Sequence, residues 1–545
     1  MPVLTYRNNR FEFIGGFEDR HEPKKAGFEG FERGVWFTAS PARAASLAKY
    51  ADIEAELELL MAEATKRASR SQVGAMSVPC PEGLRYRPYQ LAGIEFMLSR
   101  PGVLQGDDMG LGKTIQVAGV INADPSIQSV LIVVPAFLKI NWERELERWL
   151  TRSIVNLMIL SYEKIEDGLG SEWDLAVLDE AHYISNPTAK RSEAAGKIQA
   201  KRRIAMTGTP IPNRLKTVHN IWAWCDPAGA PPRKQFLERY CELTQKVILT
   251  TRLPKRIFKA FATYCTFSGE RVSRMTTGKL WFGFLKASGE KVERWAYRVI
   301  DDDNGHAHEA ELQDRLRSSV MIRRRKQDVL DDLPPKMRMV VTLTPSGKAA
   351  KVIKKERDLC KVNGWDAIEV EKLREPGVPA FEQVSLVRHE VAKAKIEPVG
   401  RYVCTKFEGS PEKVILFAHH YDVLDGLADA LKCLNPVRVD GRLSNHKRMA
   451  AVDTFQSDPN CRCLIGQIKA AGVGLNLTAG AYVLFAELDW TDMSQAEDRA
   501  WRIGQSREVT VQYLVFENTL DARMARMLVH KDAVAEAALD KEPEA

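Results

Sequence analysis

The sequence lacks the features that mark membrane, secreted or repetitive proteins. None of its apolar runs approaches the roughly 20 residues that a membrane-spanning helix requires, and its start, MPVLTYRNNRFEF, has no charged segment followed by an apolar core. We find no internal repeat with a period of about 20–50 residues. These absences exclude a membrane protein and a repeat array, and we expect neither a secretory signal nor a membrane partner.

Cysteine is also scarce. The 545 residues include nine cysteines, none forms a CxxC motif, and the closest two are Cys461 and Cys463. A disulfide framework or a zinc ribbon needs a different spacing, so we expect a reducing compartment and no structural zinc. His419 and His420 end an apolar run without a carboxylate or thiol at ligand spacing, so no metal site is expected there.

The net charge is small, but it is unevenly distributed. The 79 Lys and Arg residues exceed the 72 Asp and Glu residues by seven. Residues 233–298 alone contain 15 basic and 5 acidic residues, so the rest of the chain is slightly negative. A basic stretch in a near-neutral protein indicates a polyanionic partner such as nucleic acid.

The same stretch contains 11 aromatic residues, which allows two interpretations. In the first it is an accessory DNA-binding element, in which Lys255, Arg256 and Lys259 contact phosphates and aromatic rings stack on bases. In the second the aromatic side chains form a small core and the basic side chains are its solvated surface. The composition leaves both open.

Apolar runs of four or five residues alternate with helical segments in two parts of the chain, 84–226 and from 413 onwards. Such runs are typical of parallel strands buried on both faces. We therefore predict an α/β fold with two parallel-sheet lobes, a small N-terminal α+β module and an irregular basic insert. The expected parts are a module at 1–50, a helical linker at 51–83, lobe 1 at 84–230, the insert and a helical linker at 231–336, lobe 2 at 337–517 with a helical protrusion near 345–410, and a C-terminal helix and tail at 518–545.

A glycine-rich segment, GDDMGLGKTIQ at 106–116, follows a short apolar run and precedes a predicted helix. Gly110, Gly112, Lys113 and Thr114 have the composition of a loop that wraps backbone N–H groups around phosphates at a helix N-terminus. Lys113 would reach the β- and γ-phosphates and Thr114 would hold Mg²⁺. The strict pattern has glycine where this sequence has Asp107.

Two further motifs carry charge suited to phosphate chemistry. In LAVLDEAH an apolar strand ends in Asp179 and Glu180, which would orient Mg²⁺ and polarise the attacking water. In QAEDRAWRIGQ, Arg499 and Arg502 share one helix face and suit the dispersed charge of a phosphoryl-transfer transition state. Because 320 residues separate Asp179 from Arg499, a shared nucleotide would lie between two lobes that close and open.

Taken together, the motifs resemble those of the SWI/SNF-type helicase-like ATPases of helicase superfamily two. The resemblance covers about residues 84–226 and 311–517. It is carried by RPYQ, DDMGLGKTIQ, VVPAFLKINWERELERW, DEAHYISNP, TGTPIPNRL, VMIRRRKQDVLDDLPPK, GVGLNLT and QAEDRAWRIGQ. FAHH at 417–420 and FAEL at 485–488 look most like the annealing-helicase, or HARP-type, subgroup.

The resemblance implies two RecA-like lobes, ATP and Mg²⁺ as cofactors, and double-stranded DNA, including fork or junction DNA, as partner. The residues implied to bind nucleotide beyond Lys113 and Thr114 are Arg87, Gln90, Gly110, Leu111, Gly112 and Gln495. Arg499 and Arg502 are implied to be arginine fingers. Residues implied to couple nucleotide state to DNA are His182, Thr207, Thr209 and Gly474. DNA contacts are implied for Lys139, Asn141 and Lys469, beside Lys255, Arg256 and Lys259.

The sequence also departs from the family pattern. Asp108 stands where the family commonly has Glu, and 240–310 match poorly. We expect a monomeric, compact, bacterial or phage-type enzyme, cytoplasmic, or nuclear if eukaryotic. The expected function is ATP-dependent translocation on duplex DNA that remodels forks, anneals strands or displaces bound proteins. The alternatives are a strand-separating helicase, an RNA-directed relative, and a DNA-binding scaffold without catalysis. The N-terminal module would recognise DNA structure or a partner, or only pack against the core.

Overall fold

A computed structural model gives the structure of the chain. It describes all residues except 1, 29, 209–214, 243, 253–262, 268–269, 275–279, 287–291, 303–306, 331, 363–379, 473, 490–492 and 540–545. At Phe17 and within 244–302, 380–382 and 530–539 it describes the backbone alone. In this described part no helix is long and apolar enough to cross a bilayer.

The N-terminal module is a four-stranded antiparallel sheet with short helices between and after its strands and one long helix at its end. Its strand order is β1-β2-β4-β3, and Leu4, Phe11 and Phe13 are in its core. Asp52 caps the long helix by accepting a hydrogen bond from the Ala55 N–H. The elements are β1 (Val3–Arg7), β2 (Arg10–Ile14), α1 (His21–Lys25), β3 (Gly30–Glu32), β4 (Val35–Thr38), α2 (Pro41–Ala45) and α3 (Ile53–Ser69).

The first half of the chain then alternates strands and helices, as the apolar runs predict. Its elements are α4 (Pro88–Leu98), β5 (Gly102–Gln105), α5 (Lys113–Ala123), β6 (Ser129–Val134), α6 (Lys139–Trp149), β7 (Asn156–Ser161), β8 (Glu172–Leu178), α7 (Lys190–Gly196), β9 (Gln199–Met206), α8 (Lys216–Cys225) and α9 (Arg233–Tyr240).

The insert differs from the irregular structure that its composition predicts. The described part of its backbone forms five antiparallel strands, in one sheet of order β10-β14-β13 and one β11-β12 pair. The helical linker predicted at the end of 231–336 is also wrong in part, because 321–322 form a strand that pairs with β5. The elements are β10 (Thr244–Arg252), β11 (Thr263–Phe267), β12 (Glu270–Arg274), β13 (Leu280–Lys286), β14 (Val292–Asp302), α10 (Glu309–Ser319), β15 (Met321–Ile322) and α11 (Lys326–Val329).

The second lobe repeats the alternation. Its elements are β16 (Lys336–Thr342), α12 (Gly347–Val362), α13 (Ala380–Phe407), β17 (Val414–Ala418), α14 (Tyr421–Ala430), β18 (Pro436–Val439), α15 (Asn445–Ser457), β19 (Cys463–Gln467), α16 (Ile468–Ala471), β20 (Tyr482–Phe485), α17 (Ser494–Glu497), β21 (Val509–Val515) and α18 (Leu520–Leu539). The backbone of α18 continues to Leu539, within the predicted C-terminal helix and tail.

Both lobes are built on six-stranded parallel sheets, which confirms the predicted fold class. The strand orders are β15-β5-β9-β8-β6-β7 and β16-β21-β20-β17-β19-β18. Each sheet carries an apolar core on both faces, which is why its strands read as unbroken apolar runs. Cys404 and Cys433 form a disulfide, whereas the cysteine spacing predicts no disulfide framework.

Candidate active site between the two lobes

The glycine-rich loop joins β5 to α5. Gly112 caps the helix with φ +75° and Gly110 has φ +85°, a region that L side chains rarely adopt. A Cβ on Gly112 would lie 2.6 Å from Nε2 of Gln90. The glycines therefore give a tight turn that brings backbone N–H groups to the start of an 11-residue helix, the arrangement that binds phosphate.

The ammonium group of Lys113 lies inside this loop. Its Nζ donates to the carbonyl oxygens of Asp107 and Asp108, at 2.8 and 3.3 Å. Burial lowers the pKa of Lys113, against the attraction of Glu180 and Asp107. Thr114 follows as the second residue of α5. The Lys113 ammonium, which the sequence predicts to bind phosphates, is thus held where it would contact an anion bound to the loop.

Gln90 also contacts the loop. Its Oε1 accepts from the Arg87 N–H at 2.9 Å and its Nε2 donates to the Leu111 carbonyl at 3.2 Å. Arg87 itself forms a two-pronged ion pair with Asp332, with both N–O distances 2.9 Å. The structure therefore places Gln90 beside the loop and directs Arg87 towards the segment before lobe 2.

Asp179 follows β8 at the carboxyl edge of the sheet. Its Oδ2 accepts a hydrogen bond from the Trp142 indole at 2.8 Å, and its Oδ1 accepts from the Glu180 N–H at 2.9 Å. Burial and the neighbouring Glu180 carboxylate raise the pKa of Asp179 to about 6, although the indole favours the charged form. Trp142 thus fixes the orientation of the carboxylate that the sequence predicts for Mg²⁺.

Glu180 has the left-handed backbone conformation, with φ +49°. Its Oε2 is buried and receives no well-formed hydrogen bond from the described residues, while Nδ1 of His182 lies 3.4 Å away. Burial acts to raise the pKa of Glu180, but His182, Lys113 and Arg499 outweigh it and the net direction is downward. A buried, ionised oxygen whose nearest cation is 3.4 Å away and that accepts no well-formed hydrogen bond is suited to accept one from a bound group such as water.

Arg499 approaches this carboxylate pair from the second lobe. Its Nη2 lies 3.5 Å from Sδ of Met109 in the glycine-rich loop, and its Nε donates to the carbonyls of Gly472 and Gln495 at 3.1 Å. Burial lowers the pKa of Arg499, whereas Glu180 and Asp179 act in the opposite direction. Its guanidinium therefore contacts the loop of lobe 1 and interacts electrostatically with both carboxylates from across the gap between the lobes.

Arg502 packs against the same loop with its Cα and Cβ rather than with its guanidinium. A Cβ on Gly110 would lie 2.7 Å from Cβ of Arg502. The guanidinium Nη1 donates to the Leu475 carbonyl at 3.3 Å, within its own lobe. Burial lowers the pKa of Arg502 to about 10. Both predicted arginines are thus at the interlobe surface, but only Arg499 directs its guanidinium to the loop in this conformation. Both follow the end of α17 at Glu497, so the prediction that they share a helix face is wrong.

The lobes meet at a second patch beside the site. A Cβ on Gly474, which has φ +73°, would lie 1.7 Å from Cδ2 of Leu138 in lobe 1. Asn445 donates to the Ala136 carbonyl at 2.9 Å. The predicted coupling residue Gly474 therefore allows the two lobes to come into direct contact.

A charge network in the segment that joins the lobes was not predicted from the sequence. Asp107, the departure from the strict glycine pattern, is fully buried and forms an ion pair with Arg324. Lys326 donates its backbone N–H to the Asp108 carboxylate at 3.1 Å. Its ammonium lies 3.0 Å from the Asp498 carboxylate, one residue before Arg499. The sequence signal that could have indicated this network is RRRK at 323–326, four successive basic residues inside a family motif.

The remaining predicted residues are placed as follows. Thr207 is buried and its N–H donates to the Gln105 carbonyl at 3.1 Å. Lys139 and Asn141 are partly exposed in the first turn of α6. Thr209, Lys255, Arg256 and Lys259 lie outside the described residues.

Lys469 is exposed and lines a cavity of about 220 Å³ with His419 and His420. Each histidine has a carboxylate partner from the segment after β20, which sequence spacing could not show. Nδ1 of His419 is 2.9 Å from Asp489 and Nδ1 of His420 is 2.7 Å from Glu487. Within the described residues, no group of three or more His, Cys, Asp or Glu is placed to hold a metal ion.

Comparison with known proteins gives two family matches. The SNF2-related domain matches residues 89–168 and 156–376, and the helicase conserved C-terminal domain matches 394–504. These matches contain the loop, both carboxylates and both arginines.

Among curated proteins, the chain is 31% identical over 499 residues to the "DNA annealing helicase and endonuclease ZRANB3" of Homo sapiens, covering 84% of this chain and 41% of that protein. It is 29% identical to the "SWI/SNF-related matrix-associated actin-dependent regulator of chromatin subfamily A-like protein 1" of Xenopus tropicalis, covering 84% and 45%. The chain thus spans less than half the length of these relatives. Among solved structures, the "Sulfolobus solfataricus SWI2/SNF2 ATPase core in complex with dsDNA" is similar with a TM-score of 0.35 and 21% identity, covering 83% of this chain and 92% of that one.

Proposed function

The chain belongs to the SNF2-related family, and we propose that it is a DNA-dependent ATPase that translocates on double-stranded DNA and remodels DNA or protein–DNA complexes. One observation carries this proposal: Arg499 of lobe 2 reaches Met109 of the glycine-rich loop and the field of the lobe 1 carboxylates. Groups separated by more than 300 residues thus form one site, and such a site is complete only when the lobes close.

The residues of this site fit ATP and Mg²⁺. The loop backbone at Gly110 and Gly112 and the Lys113 ammonium would bind phosphates, while Thr114 and Asp179 would hold the metal. The buried Oε2 of Glu180, which accepts no well-formed hydrogen bond from the described residues, supports this fit. When bound, MgATP supplies the phosphoanhydride bond and a cation that offsets phosphate charge.

The chain's own residues would act in three ways. Glu180, held ionised by His182 and Lys113, accepts a proton or hydrogen bond from the attacking water. Arg499 presents positive charge where the transition state gains negative charge, and Arg502 would do so after a rotation of its side chain. Gln90 and Gln495, which lie at the loop and beside Arg499, would contact the nucleotide.

Interlobe contacts would convert hydrolysis into motion. Because Arg499 and Gly474 contact lobe 1 only when the lobes are together, loss of the γ-phosphate weakens closure and permits opening. His182, Thr207 and Thr209 would connect this change to the DNA-binding surface. Repeated closing and opening on a polymer gives translocation.

Duplex DNA is the proposed track because ZRANB3 is named a DNA annealing helicase. Lys139, Asn141 and Lys469 are the proposed phosphate contacts in the described residues, and Lys255, Arg256 and Lys259 are proposed contacts in the insert. Contacts of this kind are independent of base sequence and weaken steeply with salt. Fork or junction DNA, where strands must be annealed, is the proposed preferred form.

The test is the ATPase rate with no polymer, single-stranded DNA, duplex DNA, fork DNA and RNA. We expect stimulation by duplex or fork DNA. Stimulation by RNA alone would instead support an RNA-directed enzyme, and duplex unwinding in the same preparation would support a strand-separating helicase. No turnover with any polymer would support a DNA-binding scaffold.

The base is tested by Glu180→Gln, which keeps the shape of the side chain but removes its charge. We expect turnover to fall by a factor on the order of 10²–10⁴, the usual contribution of a general base, with nucleotide binding retained. Glu172→Gln is the matched control, because Glu172 is exposed at the opposite end of the same strand, β8. Wild-type turnover of Glu180→Gln would contradict the assignment.

A further inference from the structure

Helix α12, the first helix of the predicted protrusion, has a strongly basic exposed surface. Six of its 16 residues are Lys or Arg, and all six are exposed. Of its two acidic residues, Glu356 is buried and accepts a hydrogen bond from the Leu520 N–H at 3.2 Å, which leaves Asp358 as the exposed one. We call the six cations the α12 basic face, which consists of Lys348, Lys351, Lys354, Lys355, Arg357 and Lys361.

Most of the charge on the α12 basic face is not neutralised by the described residues. In that part of the chain the face forms one ion pair, between Lys355 and Glu390 of α13 at 2.9 Å. At 3.6 residues per turn the six cations cover about half of the helix circumference, with Asp358 among them. Like charges at these spacings repel one another, so binding of an anion to this face is favourable.

The helix lies on the side of lobe 2 that is turned away from the candidate active site. Ala349 of α12 packs in the same apolar cluster as Leu484 of β20. The neighbouring Val483 belongs to a different cluster, together with Ala500 between the two arginines and Ile140 of lobe 1. Because successive residues of a strand point to opposite faces of a sheet, α12 and the interlobe surface are on opposite sides of the second sheet. A polyanion on α12 is therefore a different segment from one that lies between the lobes.

The composition of the α12 basic face favours a nucleic-acid backbone over a protein or a membrane. Five of its six cations are lysines, and lysine is depleted at protein–protein interfaces. A helix that lies on a membrane needs an apolar stripe, whereas Val362 at the C-terminal end is the one large apolar side chain that α12 exposes. Regularly spaced phosphates need only charge, and a helix of 16 residues extends along roughly seven base pairs.

We propose that the α12 basic face binds the phosphate backbone of a second duplex segment, while a first segment is bound at the cleft between the lobes. This inference rests on the proposed function and deepens it, because a DNA that reaches both surfaces must be branched or bent, as a fork or junction is. Binding of the first segment raises the effective concentration of the second at α12. The position of α12, rather than base sequence, then selects the form of DNA.

The test is fluorescence anisotropy of the full chain with a linear duplex of about 20 bp and a three-way junction with arms of that length, each longer than the roughly 7 bp that α12 can contact. The triple variant Lys351→Gln, Lys354→Gln, Lys361→Gln should weaken binding of the junction about tenfold or more. It should also reduce the slope of log affinity against log salt concentration by about 2.7, at roughly 0.9 for each phosphate contact. The affinity for the linear duplex should change by less than about twofold, because its binding at the cleft is retained.

Two controls separate local contacts from total charge and from loss of structure. The first removes three exposed lysines of lobe 1 and should bind the junction as the wild type does: Lys164→Gln, Lys190→Gln, Lys197→Gln. The second keeps the charge of the α12 basic face and should retain junction binding: Lys351→Arg, Lys354→Arg, Lys361→Arg. All of the substituted side chains are exposed, so melting temperatures should match the wild type.

Equal junction binding by the glutamine variant of α12 and the wild type would overturn the proposal. An equal loss on the linear duplex would do so too, because it would place these lysines at the first segment. Lost binding of a polyglutamate peptide, with junction binding unchanged, would assign the face to an acidic protein instead. Failure of the proposed function would appear separately, as a wild type whose ATP hydrolysis no DNA stimulates, and the binding comparison would still decide the role of α12.

Discussion

Replacing Lys326 by methionine tests whether the segment that joins the lobes positions the arginines of lobe 2. Lys326 is 2% exposed, and its ammonium donates to the Trp501 carbonyl at 2.7 Å and lies 3.0 Å from the Asp498 carboxylate. Its backbone N–H binds the Asp108 carboxylate in the glycine-rich loop. One residue thus connects the loop of lobe 1 to the segment that carries Arg499.

The size of the effect follows from the bonds that methionine removes. A hydrogen bond to a charged group contributes about 1.5–3 kcal/mol. If that free energy holds the arginine segment in its reacting position, its loss lowers kcat by roughly 10- to 100-fold. Because Lys326 does not contact the phosphate-binding groups of the loop through its ammonium, we expect KM for ATP to change little.

The assay is DNA-stimulated ATP hydrolysis measured against ATP concentration and pH. Burial lowers the pKa of Lys326 to about 8, despite the attraction of Asp498. The ammonium is therefore lost as pH rises through about 8, and wild-type kcat should decline there. Lys326→Met should have the lower kcat at neutral pH but lack this decline, a signature that general destabilisation would not give.

The matched control is Lys432→Met, which removes an exposed lysine that pairs with Asp429 on the surface. Its kcat and pH profile should equal those of the wild type. If Lys326→Met keeps the wild-type kcat, or if both proteins share the same alkaline decline, the positioning argument is refuted.

Three further predictions concern buried groups at the interlobe site. Asp107→Asn leaves a buried guanidinium without its charge partner and should lower the free energy of unfolding by about 3–5 kcal/mol, measured by urea titration; a loss under about 1 kcal/mol would contradict it. Because the pKa of Asp179 is raised to about 6, the Mg²⁺ concentration that half-saturates the ATPase should rise about fourfold from pH 7 to 5.5, as the carboxylate is protonated. Trp142→Phe removes an N–H that favours the charged carboxylate, so it should shift that rise to higher pH. A half-saturating concentration that does not depend on pH would exclude Asp179 as a ligand. Gly474→Ala adds a methyl group 1.7 Å from Leu138 and should reduce DNA-stimulated turnover more than thermal stability, with an unchanged turnover showing that this contact is not part of closure.

Local patterns were sufficient to predict most strands in the sheets of both lobes. The strands that read as unbroken apolar runs, such as β6 and β17, are buried at nearly every position. By contrast β16 was missed, because its alternating pattern of half-buried and exposed residues is that of an edge strand. β15 was missed because two residues give no period, and only its pairing with β5 defines it.

The same division holds for the site. Lys113, Asp179 and Glu180 are in contiguous motifs beside predicted strands, so their placement followed from the rule that parallel strands present ligands at their carboxyl ends. Trp142 and Asp498 could not be assigned in this way, because their partners lie 37 and 172 residues away along the chain. Tertiary contact rather than motif spacing defines such supporting groups.

The acidic residues beside Arg499 explain why closure depends on the connecting segment as well as on the nucleotide site. Burial alone would raise the pKa of Asp498, but Lys326 and Lys336 hold it below its ordinary value, so it remains an anion between two lysines. Lys336 lies 3.3 Å from the same carboxylate and begins β16, at the edge of the second sheet. A rotation of lobe 2 that moves β16 must therefore also displace the turn bearing Arg499, or break a buried ion pair. Breaking it would leave an uncompensated buried charge, so the movement of the sheet and the placement of the arginine are energetically coupled.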